Sequence, residues 1–177
     1  MIERIETEGL VLRKAEERDL GLIWNRVWRD ERLAAMMLWT PTRTREEAEA
    51  RMARTVAYQR DNYAYFVCLK ATDEPIGFGG MREIAPGEWD ETGLCIAKAW
   101  QGQGYGKEAL RALVDLAFRA LGGRIFHASC FHENLASAAT IRSCGFVYVS
   151  SHPKTRERDG YEFLCDCYEL KKGAVSE

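Results

Sequence analysis

One segment of this chain combines residue types that could hold a phosphate, and we call it the glycine loop: Gln101, Gly102, Gln103, Gly104, Tyr105, Gly106 and Lys107. Directly after it, apolar residues recur at helical spacing from Leu110 to Leu121. Glycine lets a backbone approach a ligand closely, and a helix N-terminus offers free N–H groups at the positive end of the helix dipole. The spacing therefore predicts a phosphate-binding loop that opens a helix.

Two widespread phosphate-loop patterns do not fit this segment. The dinucleotide fingerprint would need a third glycine where Lys107 stands, and it does not follow an antiparallel meander in mid-chain. The P-loop would need a hydroxyl side chain after its Gly-Lys pair, and Glu108 stands there. The pattern that remains is Gln-x-x-Gly-x-Gly, formed by Gln101, Gly104 and Gly106.

This remaining pattern resembles the pyrophosphate-binding loop of the GCN5-related N-acetyltransferases (GNAT). A second similarity lies downstream, where Asn134-x-x-Ser137 is followed by Gly145-Phe146. The runs 91–96 and 101–109 are most similar to the RimJ/RimL-like subgroup, which acetylates N-termini of ribosomal proteins and includes many small-amine acetyltransferases. The resemblance implies acetyl-CoA as cosubstrate, no metal, and a primary amine as acceptor, either a peptide N-terminus or a small molecule.

The resemblance also implies which residues contact the cofactor. The glycine loop would bind the pyrophosphate, and Asn134 would bond an amide of CoA or cap a helix. If the preceding strand bulges as in the family, backbone N–H groups near its end would stabilise the tetrahedral oxyanion. Those residues are Cys95, Ile96 and Ala97.

Acetyl transfer needs a group that accepts a proton, because an amine is mostly protonated at pH 7. Glu91 is the candidate, on the strand that leads into the glycine loop; the alternative is a solvated residue at a strand start. Ser137 is the family match for a donor to the departing thiolate, or else it only serves a helix start. Many family members carry a tyrosine near this position, but here Thr140 and Ile141 stand at the matching sites.

The acceptor site has a weaker signature. Trp24 and Trp28 share one helix face and are expected in the core, whereas Trp39, beside Pro41, is a candidate wall of the substrate pocket. No dense acidic run forms a site for a polycation, so we expect an uncharged or weakly basic primary amine rather than a polyamine.

Two rival functions are open at this point. Cys130 and His132 lie close in sequence and could form a nucleophile and base, although neighbours on one strand rarely face one reacting atom with an orienting group. A non-catalytic acyl-CoA-binding module, which senses or docks without transfer, is the stronger rival.

The elements around these residues predict a single α/β (α+β) GNAT-like domain. The expected order is β-α-α-β-β-β-α-β-α-β-β, with a mixed, mostly antiparallel sheet whose strands splay between the strand of Ile96 and that of Ile125. Asp19 is expected to cap the first helix, and Thr44 with Glu47 forms a capping box for the second. We expect one domain over 1–172 and a loose tail over 173–177.

Composition excludes several classes of function. Of 177 residues 46% are hydrophobic, and the formal net charge is −2, so no positive field draws the chain to nucleic acid or a membrane surface. No apolar run approaches a membrane span, and the N-terminus lacks the apolar stretch of a secretory signal. Six dispersed cysteines favour reduced thiols in a cytoplasmic protein. A homodimer is compatible with all of this.

Overall fold

A computed structural model describes residues 2–173 and shows eight strands in one sheet, in the spatial order β1-β2-β3-β4-β5-β6-β8-β7. All neighbours are antiparallel except β5 and β6, which are parallel. The expected mixed α/β fold is therefore confirmed. The strands are β1 (Arg4–Glu6), β2 (Leu10–Arg13), β3 (Tyr63–Leu69), β4 (Pro75–Ala85), β5 (Glu88–Ile96), β6 (Ile125–Phe131), β7 (Val147–Arg156) and β8 (Tyr161–Lys171).

Five helices cover the two faces of this sheet. They are α1 (Leu20–Ile23, continued by a π turn over Trp24–Trp28), α2 (Glu31–Ala35), α3 (Arg45–Asp61), α4 (Tyr105–Asp115, continued by a π turn over Leu116–Ala120) and α5 (Leu135–Ser143). The apolar stripe after the glycine loop packs with α5 against one face, together with Tyr65, Trp89 and Phe126. Residues of α1 and α3 pack with Phe66 and Cys95 against the other face.

The predicted splay is confirmed. β5 and β6 pair only at Glu88↔Ile125, Trp89↔Phe126 and Asp90↔His127. Beyond these pairs the two strands no longer pair with each other, although β5 continues to Ile96 and β6 continues to Phe131. A wedge-shaped opening thus lies beside the C-terminal half of β5, directly upstream of the glycine loop.

The local helix signals had different outcomes. The capping box of α3 is present, since Glu47 N donates to Thr44 Oγ1 over 3.2 Å. The cap at Asp19 was wrong: this buried carboxylate accepts two 2.8 Å bonds from the guanidinium of Arg13 instead. A buried partner of opposite charge outcompetes the local capping role because an unpaired arginine would be costly there.

Other differences concern strand ends. The short β1 is absent from the predicted order of elements. β5 begins at Glu88, because the chain turns tightly after Ala85, and β7 extends to Arg156. The predicted tail begins at Gly173, and residues 174–177 lie outside the described residues. Within residues 2–173, no helix is long and apolar enough to cross a membrane.

Candidate active site

The glycine loop begins α4, as its sequence predicts. Gly104 is the residue before the helix and has φ +87°, a left-handed conformation that glycine adopts without strain. A β-carbon placed there would meet no atom within 4 Å, so the space outside the loop is open. Gln101 holds the loop to the end of β5, because its Nε2 donates to the carbonyl of Ile96 over 2.8 Å.

The first turn of α4 lacks the side-chain cap that three of the other helices have. Asp30, Thr44 and Asn134 each accept backbone N–H groups at the starts of α2, α3 and α5. No side chain of the described residues does this at Gly104. Glu108, the acidic residue of this turn, instead accepts hydrogen bonds from Thr7 Oγ1 and Gly9 N. The N–H groups at the start of α4 therefore remain available for an anion.

The expected oxyanion donors lie at the edge of the splay, but the bulge is elsewhere. Cys95 pairs with Phe78 and Ile96 with Gly77, and the amide of Ala97 donates to Ile76 O over 2.7 Å. The amide of Ala97 is thus already used. The bulge lies earlier in β5, at Thr92. This residue is extra, because its neighbours Glu91 and Gly93 pair with the adjacent residues Met81 and Gly80 of β4.

Glu91 lies inside β5, one residue beyond the last pair with β6, and not at an exposed strand start. The residue is partly exposed to solvent, but protein atoms surround its carboxyl group densely. Burial raises the pKa of Glu91 to about 8; a hydrogen bond from Gly93 N opposes this shift, and the charge of Asp90 adds to it. Gly93 has φ +128°, which this bulge requires.

Asn134 and Ser137 lie at the start of α5. The Oδ1 of Asn134 accepts the backbone N–H of Ser137 over 3.1 Å, so Asn134 caps this helix. The half-buried Ser137 side chain lies within hydrogen-bonding reach of the Cys130 thiol. Burial raises the pKa of that thiol to about 11, so Cys130 is a protonated, buried cysteine.

The Cys130–His132 alternative gains nothing from the structure. His132 is exposed and its Nδ1 lies 3.0 Å from the carboxylate of Asp166, which also accepts a bond from Ser151. The arrangement therefore orients His132 toward Asp166, and the neutral Cys130 is a poor nucleophile. All six cysteines are free thiols.

A cavity of about 760 Å³ lies between α3 and the sheet, and we call it the α3 cavity. Trp39, the predicted wall, lines it together with Trp28, which is also a buried core residue as expected. Gly79, Gly80 and Gly93 of β4 and β5 also line it. Thr92 and Gly93 line the cavity, whereas the side chain of Glu91 does not.

Sequence reasoning missed the arginines that shape this cavity. Arg51 and Arg54 of α3 line it, and the guanidinium of Arg51 lies 4.7 Å from the ring centre of Trp28 and 4.9 Å from that of Trp39. They could have been noticed as two cations one helical turn apart, but α3 is rich in charge throughout and the signal is weak.

A second missed residue positions Trp39 from far away in the chain. Arg156, at the end of β7, is buried and donates to the carbonyls of Ala34, Ala35 and Met37. Asp159 pairs with the same guanidinium over 2.8 Å. This contact fastens the end of α2 and the segment that leads to Trp39 to the β7–β8 hairpin.

The family model described as "Acetyltransferase (GNAT) domain" matches residues 9–147, which include the splay, the glycine loop and the start of α5. The chain belongs to the GNAT acetyltransferase family. It is accordingly an acyltransferase that depends on acetyl-CoA, as the resemblance of the glycine loop implied. No curated protein sequence matches it significantly.

Solved structures of GNAT proteins share the whole fold. A probable acetyltransferase from Chromobacterium violaceum has a TM-score of 0.82 at 24% identity, covering 97% of this chain and 87% of that one. A putative ribosomal-protein-serine acetyltransferase from Vibrio cholerae has a TM-score of 0.79 at 24% identity, covering 95% and 97%. A ribosomal-protein-S5-alanine acetyltransferase from Vibrio fischeri has a TM-score of 0.74 at 20% identity, covering 98% and 99%. At these identities the likeness shows the fold.

The structure fits the cosubstrate of the GNAT family at one place. A helix start without a side-chain cap, an open face at Gly104 and unpaired strand edges of β5 and β6 adjoin one another. No group of His, Cys, Asp or Glu among residues 2–173 is arranged to hold a metal ion.

Proposed function

We propose that this GNAT protein transfers the acetyl group of acetyl-CoA to a primary amine by direct attack in a ternary complex. As in the RimJ/RimL-like subgroup, the acceptor is a protein N-terminal amine or a small-molecule amine. The observation that carries the proposal is the splay of β5 from β6, which opens between the uncapped start of α4 and the α3 cavity. The two reactants would reach the opening from opposite sides of the sheet.

In this proposal the glycine loop holds the cosubstrate. The N–H groups at Gly104, Tyr105 and Gly106 bind the pyrophosphate at the positive end of the α4 dipole. Gln101 keeps the loop against β5, while Gly102, Gln103 and Lys107 border the same anion. The bound thioester supplies an activated acetyl group, and backbone N–H groups of β5 along the splay stabilise the oxyanion.

The amine must lose a proton before its nitrogen attacks. We assign the removal of this proton to Glu91, which would accept it directly or through water. A carboxyl group with a pKa near 8 is a stronger base than an ordinary glutamate. About a tenth of such groups are ionised at pH 7. The base is thus present in a small fraction of molecules and becomes more abundant as the pH rises.

The departing sulfur needs a proton or a hydrogen bond. We assign this role to Ser137, whose hydroxyl would turn from the Cys130 thiol to the sulfur of the bound cosubstrate. Asn134 fixes the start of α5 and thereby the position of Ser137.

The deciding experiment measures free CoA thiol while a panel of amines and short peptides is offered with acetyl-CoA. We expect thiol release with at least one peptide N-terminus or small primary amine, and none without an acceptor. Saturable acetyl-CoA binding with no release against any amine would instead identify an acyl-CoA-binding module. Spermidine as by far the best acceptor would contradict the expectation of a weakly basic amine. We also predict that the reaction takes place in the cytoplasm and that the protein can form a homodimer.

A further inference from the structure

The α3 cavity contains two arginines and few groups that could neutralise them. Arg51 lies between the rings of Trp28 and Trp39, and its Nη1 donates to Thr42 Oγ1 over 3.0 Å and to Thr40 O over 3.3 Å. Both acceptors are uncharged. Among residues 2–173, neither Arg51 nor Arg54 forms an ion pair with a carboxylate, although most other arginines of the described chain do.

The one carboxylate in the cavity wall is already occupied. Oε2 of Glu47 accepts the backbone N–H groups of Arg43 at 2.7 Å and of Thr44 at 3.2 Å as part of the α3 capping box. These bonds hold the pKa of Glu47 below its usual range, so it stays ionised at the helix start. As far as residues 2–173 show, Glu47 forms no ion pair with Arg51 or Arg54, so the cavity wall carries two cations without a carboxylate partner.

The two guanidinium groups also act on each other. Burial, together with the positive charge of Arg54, lowers the pKa of Arg51 to about 10. Arg51 is still protonated at pH 7, so the protein keeps an unneutralised cation against this wall at a cost in free energy. In addition, the Nε1 of Trp39 is buried without an acceptor among the described residues. The walls thus offer donors and positive charge.

We propose that the α3 cavity selects acceptors that carry an anionic group, such as a carboxylate, near the amine, and that Arg51 and Arg54 bind this group. The proposal rests on the acetyl transfer proposed above and names the chemical class of its acceptor. Planar guanidinium groups bind carboxylate and phosphate oxygens in pairs, and Arg51 is preorganised by its two tryptophans. An anion would relieve the repulsion between the arginines, whereas a polyamine would add to it.

Two pairs of probes separate a peptide acceptor from a small-molecule acceptor. One pair is a tripeptide amide with Asp at its second position and the same peptide with Asn. The other pair is aspartate α-amide and asparagine amide. Each pair differs by one charge at nearly constant size. Binding is measured by calorimetry, and acetyl transfer is measured by thiol release with acetyl-CoA.

In at least one pair, we expect the wild-type protein to prefer the acidic member by about 10- to 100-fold, in affinity and in kcat/KM, the range of a charge-assisted hydrogen bond. Arg54→Gln and Arg51→Gln should each reduce this preference to less than about threefold while the neutral member is little affected. Arg60→Gln is the matched control, because Arg60 is exposed on the same helix and does not line the cavity.

Arg51→Gln could disturb the fold, since Arg51 contacts two tryptophans. Arg54 is exposed and makes no such contact, so its variant decides the question if the melting temperature of Arg51→Gln falls. Equal binding of acidic and neutral members in both pairs, or equal losses for both in Arg54→Gln, would overturn the anion site. If an acidic amine binds in a way that depends on the arginines but no thiol is released, the anion site would be supported and the proposed acetyl transfer to this amine would be contradicted.

Discussion

The glycine loop and the α3 cavity bind the two reactants in our proposal, and they are built in different ways. The loop consists of consecutive residues whose conformation follows from local backbone preferences, with Gly104 at φ +87° and the start of α4 behind it. The cavity draws its walls from segments between Trp28 and Gly93, and it depends on Arg156 for the position of the segment before Trp39. A cosubstrate shared by a family suits a local motif, whereas an acceptor site can vary through distant contacts.

Glu91 belongs to neither region but lies on β5, where the splay from β6 begins, and its replacement should have the largest effect. Glu91→Gln should lower kcat/KM by roughly 10²–10⁴-fold, the usual contribution of a positioned base, and leave the affinity for acetyl-CoA nearly intact. In the wild type the rate should rise as the pH increases through about 8, where the carboxyl group ionises. Comparison with Glu91→Gln at each pH removes the titration of the amine. A variant with wild-type turnover and the same pH profile would exclude Glu91 as the base.

Glu91 also makes a prediction about stability that needs no substrate. Its folded-state pKa is raised from 4.5 to about 8, so its neutral form favours the folded state below pH 4.5. This contribution is lost as the pH rises from there through about 8. Urea unfolding should therefore show that the wild type loses stability relative to Glu91→Gln over this range. A constant difference between the two proteins would contradict the raised pKa.

Replacement of Gly104 should weaken the binding of acetyl-CoA by the glycine loop and leave the α3 cavity intact. Gly104→Val places a branched side chain in the volume of the phosphate and strains a left-handed residue, so acetyl-CoA affinity should fall by about 10- to 100-fold. Gly160→Val is the matched control, since Gly160 has φ +72° and open space around it on the β7–β8 hairpin. Calorimetry with acetyl-CoA measures both. Equal affinity in Gly104→Val and the wild type would remove the loop from the binding site.

Replacement of Arg156 should weaken the binding of the acceptor in the α3 cavity more than the binding of acetyl-CoA. Arg156→Gln removes the guanidinium that donates to the carbonyls of Ala35 and Met37, and it should reduce the free energy of unfolding by about 1.5–3 kcal/mol. KM for the acceptor should rise more than the dissociation constant of acetyl-CoA. Arg119→Gln is the control, because its ion pair with Asp115 is exposed and contributes little. Parallel losses in both ligands would show that the two regions are not independent.

The smallest effects separate the two residues at the start of α5. Asn134→Ala should cost about 1 kcal/mol of stability, because the N–H of Ser137 loses its cap. Ser137→Ala should lower kcat at an unchanged melting temperature if its hydroxyl serves the leaving thiolate. A Ser137→Ala enzyme with wild-type kcat would leave this serine with a structural role only. Melting curves and single-acceptor kinetics on both variants decide between these outcomes.

Where a structural feature depends on neighbours along the chain, the sequence predicted it well. The capping box of Thr44 and the start of α4 at the glycine loop both follow from residues a few positions apart. Asp19 shows where such reasoning fails, since a capping residue and a buried ion-pair partner have the same local signature. The splay between β5 and β6 was expected from the family resemblance and not from spacing alone.

By itself, the sequence of this chain determined the phosphate-binding loop and the mixed fold, because glycine positions and apolar periodicity act over a few residues, whereas the cosubstrate was implied by the resemblance of that loop to the GNAT family. Only the tertiary structure decided the bulge that buries Glu91, the contact of Arg156 with α2 and the placement of Arg51 between two tryptophans. These features depend on which distant segments meet and on the low polarity of their surroundings. Burial raises the pKa of Glu91 and lowers that of Arg51, and burial is a property of the packed chain.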